Sequence, residues 1–257
     1  MSETTLVPVP VVLVHGNPET PAVWDLLVDH LGDRPVFTPN LPGFGCPAPE
    51  GFDASMDAYA AWLIEEIEAV GQPIHLVGHD WGGILAIRVA ELRPDLLVSW
   101  ASDAAGLFHP GYVWHDLAQV WQTPGDGEAV VEAMAVLPTE DAVTGFVTIG
   151  IPRDQAEVFV AAIDDTFGAC VLALYRSATT DLLAPWRDAA SQAGQKPGLA
   201  LRATDDPYVG DDVLVAEAAD RLGADLAVLD KCGHWWMLQD PTTSAALLNG
   251  WFERTEG

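Results

Sequence analysis

Short apolar runs alternate with helix-spaced segments along most of the chain, and few folds can accommodate that order. Val9–Val14 (VPVVLV) reads as a buried strand, broken by His15–Pro18 (HGNP) ahead of a helix carrying Trp24, Leu27 and Leu31. A short strand at Val36–Thr38 leads into Leu41–Gly45 (LPGFG), a loop of turn formers. Met56–Val70 sets Tyr59, Trp62, Leu63, Ile67 and Val70 at helical spacing. Ile74–Val77 is the next strand, residues 82–92 a helix stopped near Pro94, and Leu96–Ala101 a further strand. The pattern then changes: residues 107–185 are helical in character, broken by Gly and Pro, with no buried strand. Alternation returns with Leu199–Ala203, a helix near 211–222, Leu226–Leu229 and a last helix over Thr242–Phe252. This order predicts an α/β fold, a mostly parallel sheet flanked by helices. Residues 1–106 and 186–257 make the core, and 107–185 an inserted helical cap. A chain of 257 residues, 49% hydrophobic with 10 Trp, can fill such a core.

In sheets of this kind, chemistry gathers at the carboxyl ends of the strands. His15 and Asn17 follow the first predicted strand, Asp80 the third, Asp103 the fourth, Asp205 and Asp206 the fifth, and His234 the last. Asp80 lies in Gly78–Gly83 (GHDWGG), between a strand and a helix. Glycines on either side of a central reactive side chain relieve the crowding of a sharp strand-to-helix turn. The competing reading makes Asp80 a helix cap. A carboxylate at such a turn can attack carbon and form an ester, which an imidazole-activated water must then cleave. His234, in Lys231–Trp236 (KCGHWW), suits that task. Asp206 is the preferred acid to orient it, with Asp103 the runner-up and Asp205 an adjacent alternative. Trp235 and Trp236 read as core packing in preference to pocket lining.

The series HGNP, PGFG (Pro42–Gly45), GHDWGG, an acid and a late GH (Gly233–His234) resembles the α/β-hydrolase superfamily over nearly the whole chain. Serine esterases of that superfamily carry Ser at the position of Asp80. The resemblance is therefore to the Asp-nucleophile branch of epoxide hydrolases and haloalkane dehalogenases. It implies an α/β-hydrolase fold in which Asp80 attacks, His234 activates water and Asp206 orients His234. The backbone N–H groups of Trp81 and Asn17 would form the oxyanion hole. The short stretch before Val11 leaves no room for the family's usual first antiparallel strand pair, so a smaller sheet is expected.

The two chemistries of this branch need different electrophilic help. Opening an epoxide calls for O–H or N–H donors from the cap; Tyr112–His115 (YVWH) and Leu174–Arg176 (LYR) resemble such segments, making His115 and Tyr175 the ring-opening donors, with Tyr112 a substitute. Expelling a halide calls for N–H donors, and Asn17 with Trp81 resembles that pair. Fluoroacetate-type dehalogenation is disfavoured because Trp81 and Ile84 stand where flanking arginines would be. The leading expectation is hydrolysis of an apolar epoxide to a diol, with haloalkane dehalogenation second and a non-hydrolytic or ligand-binding role third.

Charge narrows the partners. Eleven Lys and Arg against 38 Asp and Glu leave a net charge of −27, a field that repels phosphate backbones and anionic membranes. A small apolar substrate and water are the expected partners, with no nucleic acid and no membrane. Cys46, Cys170 and Cys232 lack metal or disulfide spacing. Asp205–Asp212 (DDPYVGDD) lacks the spacing of a calcium loop. No cofactor or metal is expected, and neither a signal peptide nor a spanning run is read, which points to a cytoplasmic protein. Oligomeric state is not legible.

Overall fold

The computed structural model describes residues 8–257. Its strands are β1 (Val11–Val14), β2 (Val36–Phe37), β3 (Ile74–Gly78), β4 (Leu97–Ser102), β5 (Gly198–Ala203) and β6 (Asp225–Leu229). They form one sheet in the order β2-β1-β3-β4-β5-β6, and every pairing is parallel. The register sets Val14 beside Gly78, and Gly78 beside Ser102, so the carboxyl ends of β1, β3 and β4 lie level.

The helices are α1 (Asp25–Val28), α2 (Met56–Val70), α3 (Trp81–Leu92), α4 (Asp116–Gln122), α5 (Asp126–Val136), α6 (Thr139–Thr148), α7 (Arg153–Ala161), α8 (Asp165–Ser177), α9 (Thr180–Ala189), α10 (Asp212–Leu222), α11 (Trp236–Gln239) and α12 (Pro241–Thr255). Parallel strands need crossovers that cover both faces of a sheet. β1 shows the result: Val12 and Val14 join the core with α2 and α3, while Val11 and Leu13 join the opposite core with Trp24, Trp236 and Phe252.

Helices α4 to α9 fill the connection between β4 and β5. The expected inner boundary at residue 185 falls inside α9, which carries Pro185 within it and ends at Ala189. The helix expected through Leu31 stops at Val28. Leu31 is nonetheless buried, in a turn completed by Gly32 at φ 75°. Its apolar spacing therefore reported burial, not helix. β1 begins at Val11 rather than Val9, after two prolines that have no N–H to give a sheet ladder. No single described helix is long and apolar enough to cross a membrane.

Candidate active site

β3 ends at Gly78 and α3 begins at Trp81, so the chain reverses within His79 and Asp80. Asp80 takes φ 51° and ψ −120°, a region that costs a side-chain-bearing residue about 1–3 kcal/mol. Glycines make the turn feasible. A Cβ on Gly78 would strike the Gly82 carbonyl, one on Gly82 would strike the Val14 carbonyl, and one on Gly16 would strike the Asp80 carboxylate. Although Asp80 stands at the N-cap position of α3, its side chain caps nothing. It meets the Asn17 N–H from the segment after β1, where the capping reading would have turned it back to its own helix.

The two Asp80 oxygens have different surroundings. Oδ1 accepts the backbone N–H of Asn17 at 2.9 Å. Oδ2 lies 3.9 Å from His234 Nε2, outside hydrogen-bond reach. Trp81 supplies the first N–H of α3, one of the donors that a helix start leaves without an intrahelical acceptor. His234 Nδ1 meets Asp206 Oδ2 at 2.9 Å, and Asp206 Oδ1 accepts the Tyr208 N–H at 2.8 Å. With Nδ1 protonated toward Asp206, the neutral imidazole presents a bare Nε2 to Asp80. Burial raises the Asp80 carboxyl to about 6, against the opposing charge of His234. Burial works to lower His234, but the Asp206 and Asp80 carboxylates outweigh it and hold the imidazole above its ordinary value.

The two other candidate acids make no contact with His234. Asp103 faces the other side of the turn: Oδ1 accepts the Asp80 N–H at 2.9 Å, and Oδ2 takes His79 Nδ1 at 2.5 Å and the Trp236 indole N–H at 2.6 Å. It anchors the turn and does not reach His234. Asp205 is exposed and bonds Thr204.

Sequence reasoning missed Glu19 and His79. Glu19 is wholly buried, accepting the Gly16 N–H at 3.1 Å and the Trp235 indole N–H at 2.8 Å. Its Oε1 lies 3.6 Å from His79 Nε2. Burial opposes ionisation of Glu19, yet the charge of His79 brings it down to about 2. Burial likewise opposes the charge on His79, which Asp103 and Glu19 together raise well above the usual histidine value. A Glu beside HGNP was the only available signal, and it reads as an ordinary loop acid until the fold buries it. Glu19, His79 and His234 bring donor atoms within 4.8 Å of one another, but Trp235 and Gly16 already engage both Glu19 oxygens.

A cavity of about 320 Å³ opens above Asp80, with Asn17, Trp121, Tyr175, Tyr208, His234 and Trp235 among its walls. Trp236 is fully buried in the core; Trp235 packs in the same core and also lines the cavity, so it does both. Tyr175, from α8, is buried, and its hydroxyl accepts the Asn17 side-chain amide at 3.4 Å. No protein acceptor takes its proton among the described residues. Burial first, and then the Asp80 charge, push that phenol well above its usual value, so it is un-ionised. The Trp81 indole N–H is buried without a partner, its ring 5.4 Å from Tyr175 edge to face.

His115 lines the cavity as the cap of α4, its Nδ1 accepting the Ala118 N–H at 3.3 Å. That bond assigns the ring proton to Nε2. Burial and then the His234 charge lower its pKa. Tyr112 is unavailable as a substitute donor, because its hydroxyl already donates to the Tyr208 carbonyl at 2.7 Å. Tyr208, also missed, sits edge-on between His115 (5.0 Å) and His234 (4.9 Å).

A family model described as "Alpha/beta hydrolase family" matches residues 11–247. Among curated proteins, the chain is 27% identical over 253 residues to Lipase LipV of Mycobacterium tuberculosis, covering 94% of this chain and 92% of that protein. Among solved structures, an ancestral haloalkane dehalogenase superposes with a TM-score of 0.76 at 19% identity, over 97% of this chain and 92% of the other. A mutant of a protein assigned as an epoxide hydrolase from Pseudomonas aeruginosa superposes with a TM-score of 0.78 at 19% identity, over 97% and 90%. At these identities the structural likeness is one of fold.

Proposed function

The chain belongs to the alpha/beta hydrolase family, and on that premise we propose that it hydrolyses an apolar epoxide to a diol through an ester on Asp80. A carboxylate where serine esterases hold their hydroxyl favours alkyl-ester chemistry over the acyl transfer that a lipase performs. Oδ2 is the attacking oxygen, since Oδ1 is engaged by the Asn17 N–H. Its attack on an epoxide carbon breaks the ring C–O bond, and the departing oxygen takes the proton of Tyr175, assisted by His115 Nε2–H. Once the ester forms, Oδ1 is its carbonyl oxygen and already sits at an oxyanion donor.

Esterification also removes the Asp80 charge, one of the contributions that hold His234 protonated. The imidazole is then better able to take a proton from water attacking Cγ. The tetrahedral intermediate collapses by expelling the diol oxygen, which takes that proton from His234; the second proton of the water, left on the Asp80 carboxyl, passes to the Tyr175 phenolate, so that the Asp80 carboxylate and the Tyr175 phenol are both regenerated. Asp206 orients the imidazole throughout.

The single observation carrying this reading is the Tyr175 hydroxyl, buried at the cavity, accepting from Asn17 and with its own proton uncommitted. A second reading, haloalkane dehalogenation, is favoured by the unpartnered Trp81 indole N–H, whose ring packs on Tyr175, the residue that the Asn17 amide also meets. Parallel turnover of terminal epoxides and haloalkanes, with diol and halide both measured, decides between them. The epoxide reading expects diol formation that is abolished in Asp80→Asn and falls by roughly 10²–10⁴ in Tyr175→Phe. In His234→Gln, intact-mass spectra should show the trapped ester on Asp80. Halide release that depends on Asn17, with no diol formed, reverses the order. Turnover of a carboxylic ester that survives Asp80→Asn overturns both.

A further inference from the structure

A second apolar hollow, about 210 Å³, lies in the helical insertion between the end of α5 and α6. Met134, Phe146 and Ile149 line both this hollow and the cavity above Asp80. The two spaces are thus neighbours across a partition of three side chains. Beyond that partition the walls are Leu137, Ala142 and Ile163, with Gly145 at the rim, and none carries a polar side chain. The hollow is open to solvent: Leu137 and Ile149, which line it, are each 47% exposed. No lysine or arginine lines either space.

An exposed apolar seam is costly on a surface otherwise dominated by acids. This one is continuous with the reactive cavity, which assigns its occupant: the remote part of a molecule whose reacting end is at Asp80. We propose that the hollow between α5 and α6 is a tail subsite, and that the substrates are neutral epoxides bearing an extended unbranched alkyl chain. The chain lies along Met134 and Phe146 and ends against Leu137, Ala142 and Ile163. A tail ending in a carboxylate would find no cation in the walls and would face a chain of net charge −27. The alkyl tail therefore has to be neutral to its end. This rests on the epoxide reading for the head group alone; the tail subsite follows from the walls.

The test separates the two claims. Binding of 1,2-diols with butyl, octyl and dodecyl chains to the Asp80→Asn protein, followed by calorimetry, requires no turnover. Affinity should rise by up to about fourfold per methylene until the tail subsite is filled. The substitution Ala142→Trp, made on the Asp80→Asn background, should flatten the rise for octyl and dodecyl chains. In the active protein, Ala142→Trp should lower kcat/KM for dodecyl against butyl epoxide at least tenfold as a ratio, which is insensitive to the amount of folded enzyme. Affinity independent of chain length, or an equal rise in Ala142→Trp, overturns the subsite even if diol is formed. A length-dependent rise without any diol leaves the subsite standing and removes the epoxide reading. Self-association abolished by Ala142→Trp, with no chain-length dependence, gives the hollow to a second copy and overturns the proposal.

Discussion

His234 is held between two carboxylates that act on different nitrogens, Asp206 at Nδ1 and Asp80 facing Nε2. The pH dependence follows from their signs. On the proposed mechanism attack requires Asp80 ionised and, in the next step, His234 neutral; the Asp80 carboxyl is raised to about 6, so kcat/KM should fall as pH drops through about 6. Ester cleavage requires His234 neutral, and its pKa is raised, so kcat should also be lost on the acid side. Asp206→Asn removes the anion that most favours the imidazolium. Its residual activity, reduced at least about tenfold, should show an acid limb of kcat displaced to lower pH. A limb that stays in place in that variant would mean the ester-cleavage base is not His234. The choice of Asp206 over Asp103 was legible only as a preference. Both acids follow strands, and they separate only in three dimensions, where His79, a residue without a signal of its own in the sequence, occupies Asp103.

At the scale of elements, the turn joining β3 to α3 illustrates a signal that local chemistry fully encodes. Its glycines are required because backbone from β1 and from the start of α3 passes where side chains would stand. Gly82→Ala should destabilise the fold by about 3 kcal/mol or more, since the added Cβ meets main-chain carbonyls that cannot yield. Gly145, within α6, has nothing within 4 Å of its would-be Cβ. Gly145→Ala should instead stabilise by up to about 1 kcal/mol, through helix propensity alone. Denaturant midpoints of the two variants check the contrast. The strands and their neighbouring helices were readable because both faces of a parallel sheet must be apolar. The insertion was readable as helical, and the family resemblance named its cavity-facing His115 and Tyr175, whereas Trp121, Met134 and Phe146 carried no signal. Tyr175 comes from α8, His115 from the start of α4 and Tyr208 from the loop after β5; no spacing rule relates three positions in three separate segments.

For the whole molecule, the dominant quantity is a net charge of −27, with Lys196 and Lys231 the only lysines. Acids of one sign on a compact body repel one another. Raising NaCl from a few tens of millimolar to about 1 M shortens the screening length to about 3 Å. Tm should climb by a few degrees over that range. A flat Tm would show that local ion pairs, such as Arg176 with Glu128 and Arg153 with Glu140, already offset the repulsion. If the proposed tail subsite is used, the same overall charge disfavours an anionic tail there.

The sequence by itself determined the order of strands and helices, the position of the helical insertion and the strand-to-helix turn at Asp80. Each is written in short-range terms: apolar period, glycine spacing and the residue between them. Tertiary structure alone decided which acid serves His234, that Glu19 and His79 share a buried charge beneath it, and that the Tyr175 hydroxyl meets the Asn17 amide. Those pairings join residues as far as 158 positions apart. They exist because level strand ends and one helical insertion converge on a single space, where burial alters what each charged or hydrogen-bonding group can do.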